Sequence, residues 1–225
     1  TGVQTCALPI LEFLPEFAGE GKEDVDLRHL LTHSSGLPAW RPFHEQGSTP
    51  EERLAAVLAT PLEWPAGRRF QYSDVGFILL GEVVRRVSGM PLDQFAGDRL
   101  FAPLGMADTR FRPPAEWASR CAATEVHDGA PIRGRVHDEN AAGFGGVSGH
   151  AGLFSTAAGL ALFCQMLLNG GEYGGARVLS PLAVRAMLSP QSPFLGSARG
   201  LGFDLHSAYA SIRGDLLPAG SAGHS

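Results

Sequence analysis

The sequence predicts an α+β chain in which helix and loop dominate, on three observations: six segments with helical periodicity, one short run alternating at period two, and 29 glycines with 16 prolines punctuating them. Val25 to Leu31 opens a short helix behind Asp26, a side chain suited to cap it, and Thr32 to Pro38 reads as the tight loop that ends it. Thr49, followed by Pro50, Glu51 and Glu52, marks a second helix that runs to Ala59, because proline's fixed φ and missing N–H suit the first helical turn. The strongest period lies between Asp74 and Ser88, where Phe77, Leu80, Val83, Val84 and Val87 recur every three or four residues and Gly89 supplies a stop. Pro91 to Leu100 is the next helical stretch, with Leu92, Phe95 and Phe101 on one face. Thr156 caps Ala157 to Leu168, whose Leu160, Phe163, Met166 and Leu167 are expected to face inward, and Ser180 caps Pro181 to Leu188. Gly200 to Leu205 is the expected strand.

With 225 residues, 44% of them hydrophobic and 18% charged, the chain can bury a core in one to two domains and is not a disordered segment. Its net charge is -5 and its 18 basic residues are scattered, so it offers no stripe for a phosphate backbone and nucleic acid is not an expected partner. The longest apolar stretches, such as Val75 to Leu80, fall far below the roughly 18 residues of a membrane span, and the N-terminus lacks the basic start of a signal peptide. Cys6, Cys121 and Cys164 follow no metal-ligand spacing and read as small buried hydrophobes. Thr1 to Ile10 shows no periodicity and reads as a non-native leader, with one partial domain from Leu11 to Ser225. Arg112 to Gly152 shows no sustained period and is too long for an idle connection, which marks it as a functional loop region.

The residues that bear on chemistry begin with Tyr72, Ser73 and Asp74, at the mouth of the strongest helix. A phenol there can have its pKa lowered by the positive end of the helix and so serve as a proton shuttle. The same three residues also read as a cap, with Asp74 accepting from the first free N–H groups. His29 and His33 are four apart but lack a third ligand, which favours a structural role. His137, Asp138, Glu139, Asn140 and His150 offer several ligand types, and such clusters commonly satisfy loop backbone instead. Ser148 is followed by Gly149 and His150, so it does not form a Gly-x-Ser-x-Gly nucleophile elbow.

Taken together, Leu30 to Pro38, Pro65 to Gly67, Phe70 to Asp74 and Gly76 to Glu82, followed by Pro103 to Met106, Gly145 to Thr156 and Gly200 to Phe203, resemble the family of class C β-lactamases, related serine esterases and D-alanyl-D-alanine carboxypeptidases. The resemblance implies an antiparallel sheet packed by helices with a mainly helical insertion, the cleft lying between them. It implies acyl transfer on an ester, amide or β-lactam carbonyl of a small-molecule or peptidoglycan-like substrate, with no metal and no cofactor. Tyr72 matches the acid/base of the family's Tyr-x-Asn or Tyr-x-Asp motif, and Asp74 stands where an amide or carboxylate orients lysine and substrate. His224, near the C-terminal end, matches the His-x-Gly strand that closes the site, and the loop carrying His150 is expected to line the substrate cleft. The family's Ser-x-x-Lys motif is absent: the single lysine is Lys22, and Gly19 stands three residues before it. The nucleophile is therefore expected upstream of this chain, which reads as truncated at both ends and inactive as it stands. Two other readings stay open, a non-catalytic relative binding peptidoglycan-like or peptide ligands in the same cleft, and a metal-dependent hydrolase built on the loop from His137 to His150.

Overall fold

The structure is a computed structural model and describes residues 7–192, 197–207 and 220–224; Thr1 to Cys6 lie outside them. Seven α-helices are described: α1 (Leu27–Leu31), α2 (Pro50–Ala59), α3 (Asp74–Ser88), α4 (Leu92–Ala96), α5 (Glu139–Gly143), α6 (Ala157–Leu168) and α7 (Pro181–Met187). Four antiparallel strand pairs accompany them: β1 (Arg110–Phe111) with β4 (Leu153–Phe154), β2 (Val126–His127) with β3 (Ala130–Pro131), β5 (Glu172–Tyr173) with β6 (Ala176–Arg177), and β7 (Ser197–Arg199) with β8 (Asp204–Ser207).

Two apolar clusters organise these elements. In the first, Val75, Ile78, Leu79 and Val83 of α3 pack with Leu27 and Leu30 of α1, Val57 and Leu58 of α2, and Ile10, Leu14 and Phe17 ahead of them. Burying each such side chain fully contributes about 1.5–3 kcal/mol, so α3 is held mainly by its packed face. The buried Glu82 carboxylate on α3 accepts from Arg85 and Arg86 at 2.6 Å each, and Arg86 reaches across to Glu16. The second cluster joins Phe101, Leu104 and Met106 to Met166 and Leu167 of α6 and Val184 of α7.

Helix starts follow the predicted caps. Asp26 and His29 form a reciprocal capping box on α1, as Thr49 and Glu52 do on α2, while Thr156 and Ser180 cap α6 and α7. At α3 the cap is Ser73, whose hydroxyl accepts from the Gly76 N–H at 3.2 Å; Asp74 is the first helical residue, so its carboxylate is free to face the cleft.

Other expectations need correction. The helix read from Pro91 to Leu100 is α-helical only over α4 and then widens into a π-helical turn, Gly97–Phe101, in which the Ala102 N–H bonds the Gly97 carbonyl and Phe101 reaches the second cluster. Arg112 to Gly152 contains a 3-10 turn (Ala115–Arg120), the β2–β3 hairpin and α5. Strand structure begins at Asp204, and Gly200 to Phe203 form the turn into it; the Gly200 N–H bonds the Phe203 carbonyl, so the alternation there belonged to a turn. Leu160 is exposed on α6, as is Cys164, because the helix rests on its Met166 and Leu167 face. Leu8 accepts from the Leu27 N–H, Pro9 bridges to Asp26, and Ile10 is buried in the first cluster.

The segment after α5 lies directly on α3. A Cβ built on Gly149 would sit 2.0 Å from the Phe77 carbonyl oxygen, and one on Gly81 only 3.0 Å from the Gly149 nitrogen. Backbone meets backbone at that spacing, so neither side can yield cheaply. Gly149→Ala is therefore expected to lower the urea unfolding midpoint by an amount equivalent to roughly 1–3 kcal/mol, the usual scale of overpacking; an unchanged midpoint would show that the loop does not press on α3.

Candidate active site

The loop after α1 is tied to the chain ahead of α3 by a ladder of hydrogen bonds. Gly36 accepts from the Glu63 N–H, Ser34 from the Gly67 N–H, His33 from the Gln71 N–H and Ala39 from the Asp74 N–H, all between 2.7 and 2.9 Å. Gly36 is required there, since its φ is +81° and a Cβ would stand 1.9 Å from the Trp64 carbonyl oxygen. The Ser73 hydroxyl donates to the Pro38 carbonyl at 2.7 Å while capping α3. The segment Leu30 to Pro38 is thus a bracket for Tyr72, Ser73 and Asp74.

At its centre is His33, buried and held at φ 55°, a left-handed conformation uncommon for side chains larger than glycine. Its ring stacks on Tyr72 at 4.3 Å and 26° and on Phe77 at 4.8 Å and 24°. Its Nδ1 accepts from the Ser73 N–H at 3.0 Å. That bond needs a lone pair, so the proton of the neutral ring sits on Nε2. Burial, together with the positive charges of Arg199 and His224, pushes the His33 pKa down from the ordinary 6.5 to about 3.

His224 arrives from the other end of the chain. Gly223 exchanges both backbone hydrogen bonds with Asp204 at the start of β8, which lays the exposed His224 ring 6.0 Å from that of Tyr72 and 6.4 Å from that of Phe77. Asp74 is half-buried beside them. Desolvation raises its pKa, the Asp138 charge adds to this, and the His150 and His224 charges oppose it.

His150 is fixed on both sides. Its Nε2 lies 2.9 Å from the Asp138 carboxylate and its Nδ1 2.8 Å from the Ser148 hydroxyl. An ionised carboxylate only accepts, so Nε2 donates and Nδ1 accepts from Ser148 in the neutral ring. Burial pushes the Asp138 pKa up, but the bonds from His150 and from the Ala141 N–H, which it caps on α5, hold it below the ordinary carboxylate range. Asp74, Asp138 and His150 line a cavity of about 470 Å³ whose other walls include Trp117, Arg135 and His137.

The structure therefore gathers Tyr72, Asp74 and His224 at the start of α3, and joins His150 to Asp74 along one cavity wall. Other candidates have structural roles. His29 closes the capping box on α1, Lys22 is buried with its ammonium on the Leu58 carbonyl, and Ser34 bonds Thr32. Asn140 is buried between the His44 N–H and the Arg41 carbonyl, and among the described residues no group of three His, Cys, Asp or Glu stands in a metal-holding arrangement. Sequence reasoning missed the stacking of His33 on Tyr72 and the pairing of Asp138 with His150; the only signal for the second was their presence in the same aperiodic loop region.

With this geometry in place, comparison with known proteins gives the family and the fold. The chain belongs to the Beta-lactamase family, whose model matches residues 7–225. It is 34% identical over 209 residues to an Escherichia coli K12 protein that bears the provisional name D-alanyl-D-alanine carboxypeptidase, the match covering 78% of this chain and 47% of that protein. The chain spans about half the length of such curated relatives. Among solved structures, a β-lactamase/D-alanine carboxypeptidase from Pseudomonas syringae superposes with a TM-score of 0.71 at 21% identity over 93% of this chain and 56% of that one. A penicillin-binding protein homologue from Caulobacter crescentus does so with 0.70 at 21% identity over 98% and 64%. At those identities the likeness establishes the fold.

The shifted His33 pKa carries a stability consequence. Unfolded, this imidazole takes up a proton as pH falls through about 6.5; folded, it resists protonation down to about 3. Between those values the unfolded state binds more protons, so His33 lowers stability on acidification by about 1.4 kcal/mol per pH unit. In urea titrations across this window His33→Asn is expected to make the pH dependence of stability shallower by about that amount relative to the parent chain; an identical slope in the variant would contradict the burial argument.

Proposed function

We propose that the protein is a serine hydrolase that works by acyl transfer on an amide or β-lactam carbonyl, with a D-alanyl-D-alanine-like peptide terminus of peptidoglycan as the favoured substrate class. The observation that carries this reading is the meeting of Tyr72 and His224, whose rings lie 6.0 Å apart at the N-terminus of α3 although they come from distant parts of the chain. Family membership and the name borne by the Escherichia coli relative support the substrate class.

In this proposal the Ser-x-x-Lys pair, absent from these residues, is supplied by polypeptide preceding them. As the serine oxygen bonds to the carbonyl carbon its proton enters the relay formed by the lysine amine and Tyr72, and Tyr72 delivers a proton from that relay to the leaving nitrogen as the C–N bond breaks. Water then bonds to the acyl carbon as the bond to serine breaks, one water proton returning through the same relay to the serine oxygen. Asp74 orients lysine and substrate, His224 borders the reacting carbonyl from the strand side, and the cavity bearing His150 takes the part of the substrate beyond it. An ester carbonyl is a third acyl donor for the same chemistry.

Two measurements test the reading. In the complete polypeptide that includes Ser-x-x-Lys, Tyr72→Phe is expected to lower turnover roughly 10²-fold or more while folding is retained, the scale of a positioned acid/base; unchanged turnover would remove Tyr72 from the mechanism. The 225-residue chain alone is expected to resist acylation by fluorescent penicillin, whereas the complete polypeptide is labelled. Stoichiometric labelling of the short chain by mass spectrometry, at Ser148 or Ser34 for instance, would overturn the assignment of the nucleophile.

A further inference from the structure

Tyr72 needs more than a place at a helix mouth to shuttle a proton. Its hydroxyl must stay within hydrogen-bond reach of two partners in turn, and a phenol that swings by an ångström loses much of that advantage. A phenol has two side-chain torsions to be fixed. What the ring rests on and how the peptide that carries it is held both restrict those torsions.

His33 supplies both. Its ring lies against the Tyr72 ring at 4.3 Å and 26°, and it is itself backed by Phe77 at 4.8 Å and 24°, so the three rings form a stack whose far member belongs to α3. Phe70 meets the His33 ring edge-on at 6.2 Å and 86°. The Nδ1 atom accepts from the N–H of Ser73, the peptide immediately after Tyr72, at 3.0 Å, and the His33 carbonyl accepts from Gln71, the peptide before it, at 2.8 Å. One residue thus grips the backbone on both sides of Tyr72 and one face of its ring. The left-handed φ of 55° is the cost of this posture, and backbone strain of that kind persists where surrounding contacts over-determine it.

We infer that His33 is a positioning residue for Tyr72: its ring and its Nδ1 together fix where the Tyr72 hydroxyl points in the cleft. The inference rests on the proton-shuttle reading of Tyr72. A charged imidazole could not accept the Ser73 N–H at Nδ1, and the setting keeps the ring neutral: it is buried, and among the described residues the charged or titratable groups facing it are Arg199 of β7, His224 beyond β8 and the Tyr72 phenol, with Asp74 nearby at the start of α3. The Nε2 atom has no hydrogen-bond partner among the described residues, so the ring's side-chain hydrogen bonding there is through the Ser73 amide alone.

The test separates the two halves of the grip in the complete polypeptide, with rates expressed per site titratable by fluorescent penicillin so that only folded enzyme is counted. His33→Asn keeps an acceptor near Nδ1 and a side chain that tolerates left-handed backbone, but removes the ring. His33→Phe keeps a ring and removes the acceptor. Each is expected to lower kcat about 10-fold or more, with KM changed less than about two-fold, and to move the alkaline limb of the kcat–pH profile, since a misplaced phenol both meets its partners less well and titrates in a different setting. Should His33→Phe fail to fold, His33→Asn carries the test. If His33→Asn leaves kcat and the alkaline limb where they were, or lowers kcat without moving the limb, His33 is a structural residue only and the inference falls while the function stands. Full activity of Tyr72→Phe overturns the function itself, and the inference with it.

Discussion

The Ser73 N–H that ends on His33 Nδ1 is the bond on which the cleft depends. It joins the loop after α1 to the start of α3 across forty positions of sequence, and every neighbouring contact reinforces it. Ser73 caps α3 with the same residue whose amide is held, so the helix cannot begin elsewhere without releasing His33. Gly36 permits the loop to pass under the Trp64 carbonyl, and Pro38 offers its carbonyl to the Ser73 hydroxyl. A change at any of these points would be felt at Tyr72 before it was felt at the surface.

The two histidines of the cleft show how one side chain type is used in opposite ways. His33 is enclosed by aromatic rings and kept neutral, which makes it a rigid acceptor. His150 is nearly as enclosed but holds a carboxylate on one nitrogen and a hydroxyl on the other, so it brings an ionised Asp138 to the wall that Asp74 also lines. Burial of the two carboxylates near each other is costly, and the imidazole bonded to Asp138 moderates it. The raised Asp74 and the lowered Asp138 are the expected signs of that division.

Much of this was legible in the sequence, for reasons that can be named. Caps are local: Asp26, Thr49, Thr156 and Ser180 each act on N–H groups three residues away, so residue type and spacing are enough to place them. The α3 cap was assigned one residue late because Ser73 and Asp74 are both competent and only the backbone of Asp74, tied to Ala39, decides between them. The π turn after α4 was invisible because one extra residue per turn leaves no compositional mark, and Gly200 to Phe203 mimicked a strand because a turn with two glycines also alternates. Tyr72, Asp74, His150 and His224 were singled out by resemblance, whereas the His33 stack and the Asp138 pairing are tertiary facts with no periodicity to announce them.

The lacing of α1, its loop and α3 has a consequence for the order in which the chain acquires structure. Those contacts join positions about forty apart, and they can close as soon as residue 88 or so has been made. The meeting of His224 with Tyr72, which the Gly223–Asp204 pairing sets up, joins positions 152 apart and so closes a far larger loop of sequence. Loop closure of that span is entropically slower, so the floor of the cleft is set early in folding and its rim late. A partly made chain would hold its tyrosine in place well before it had the strand that borders it.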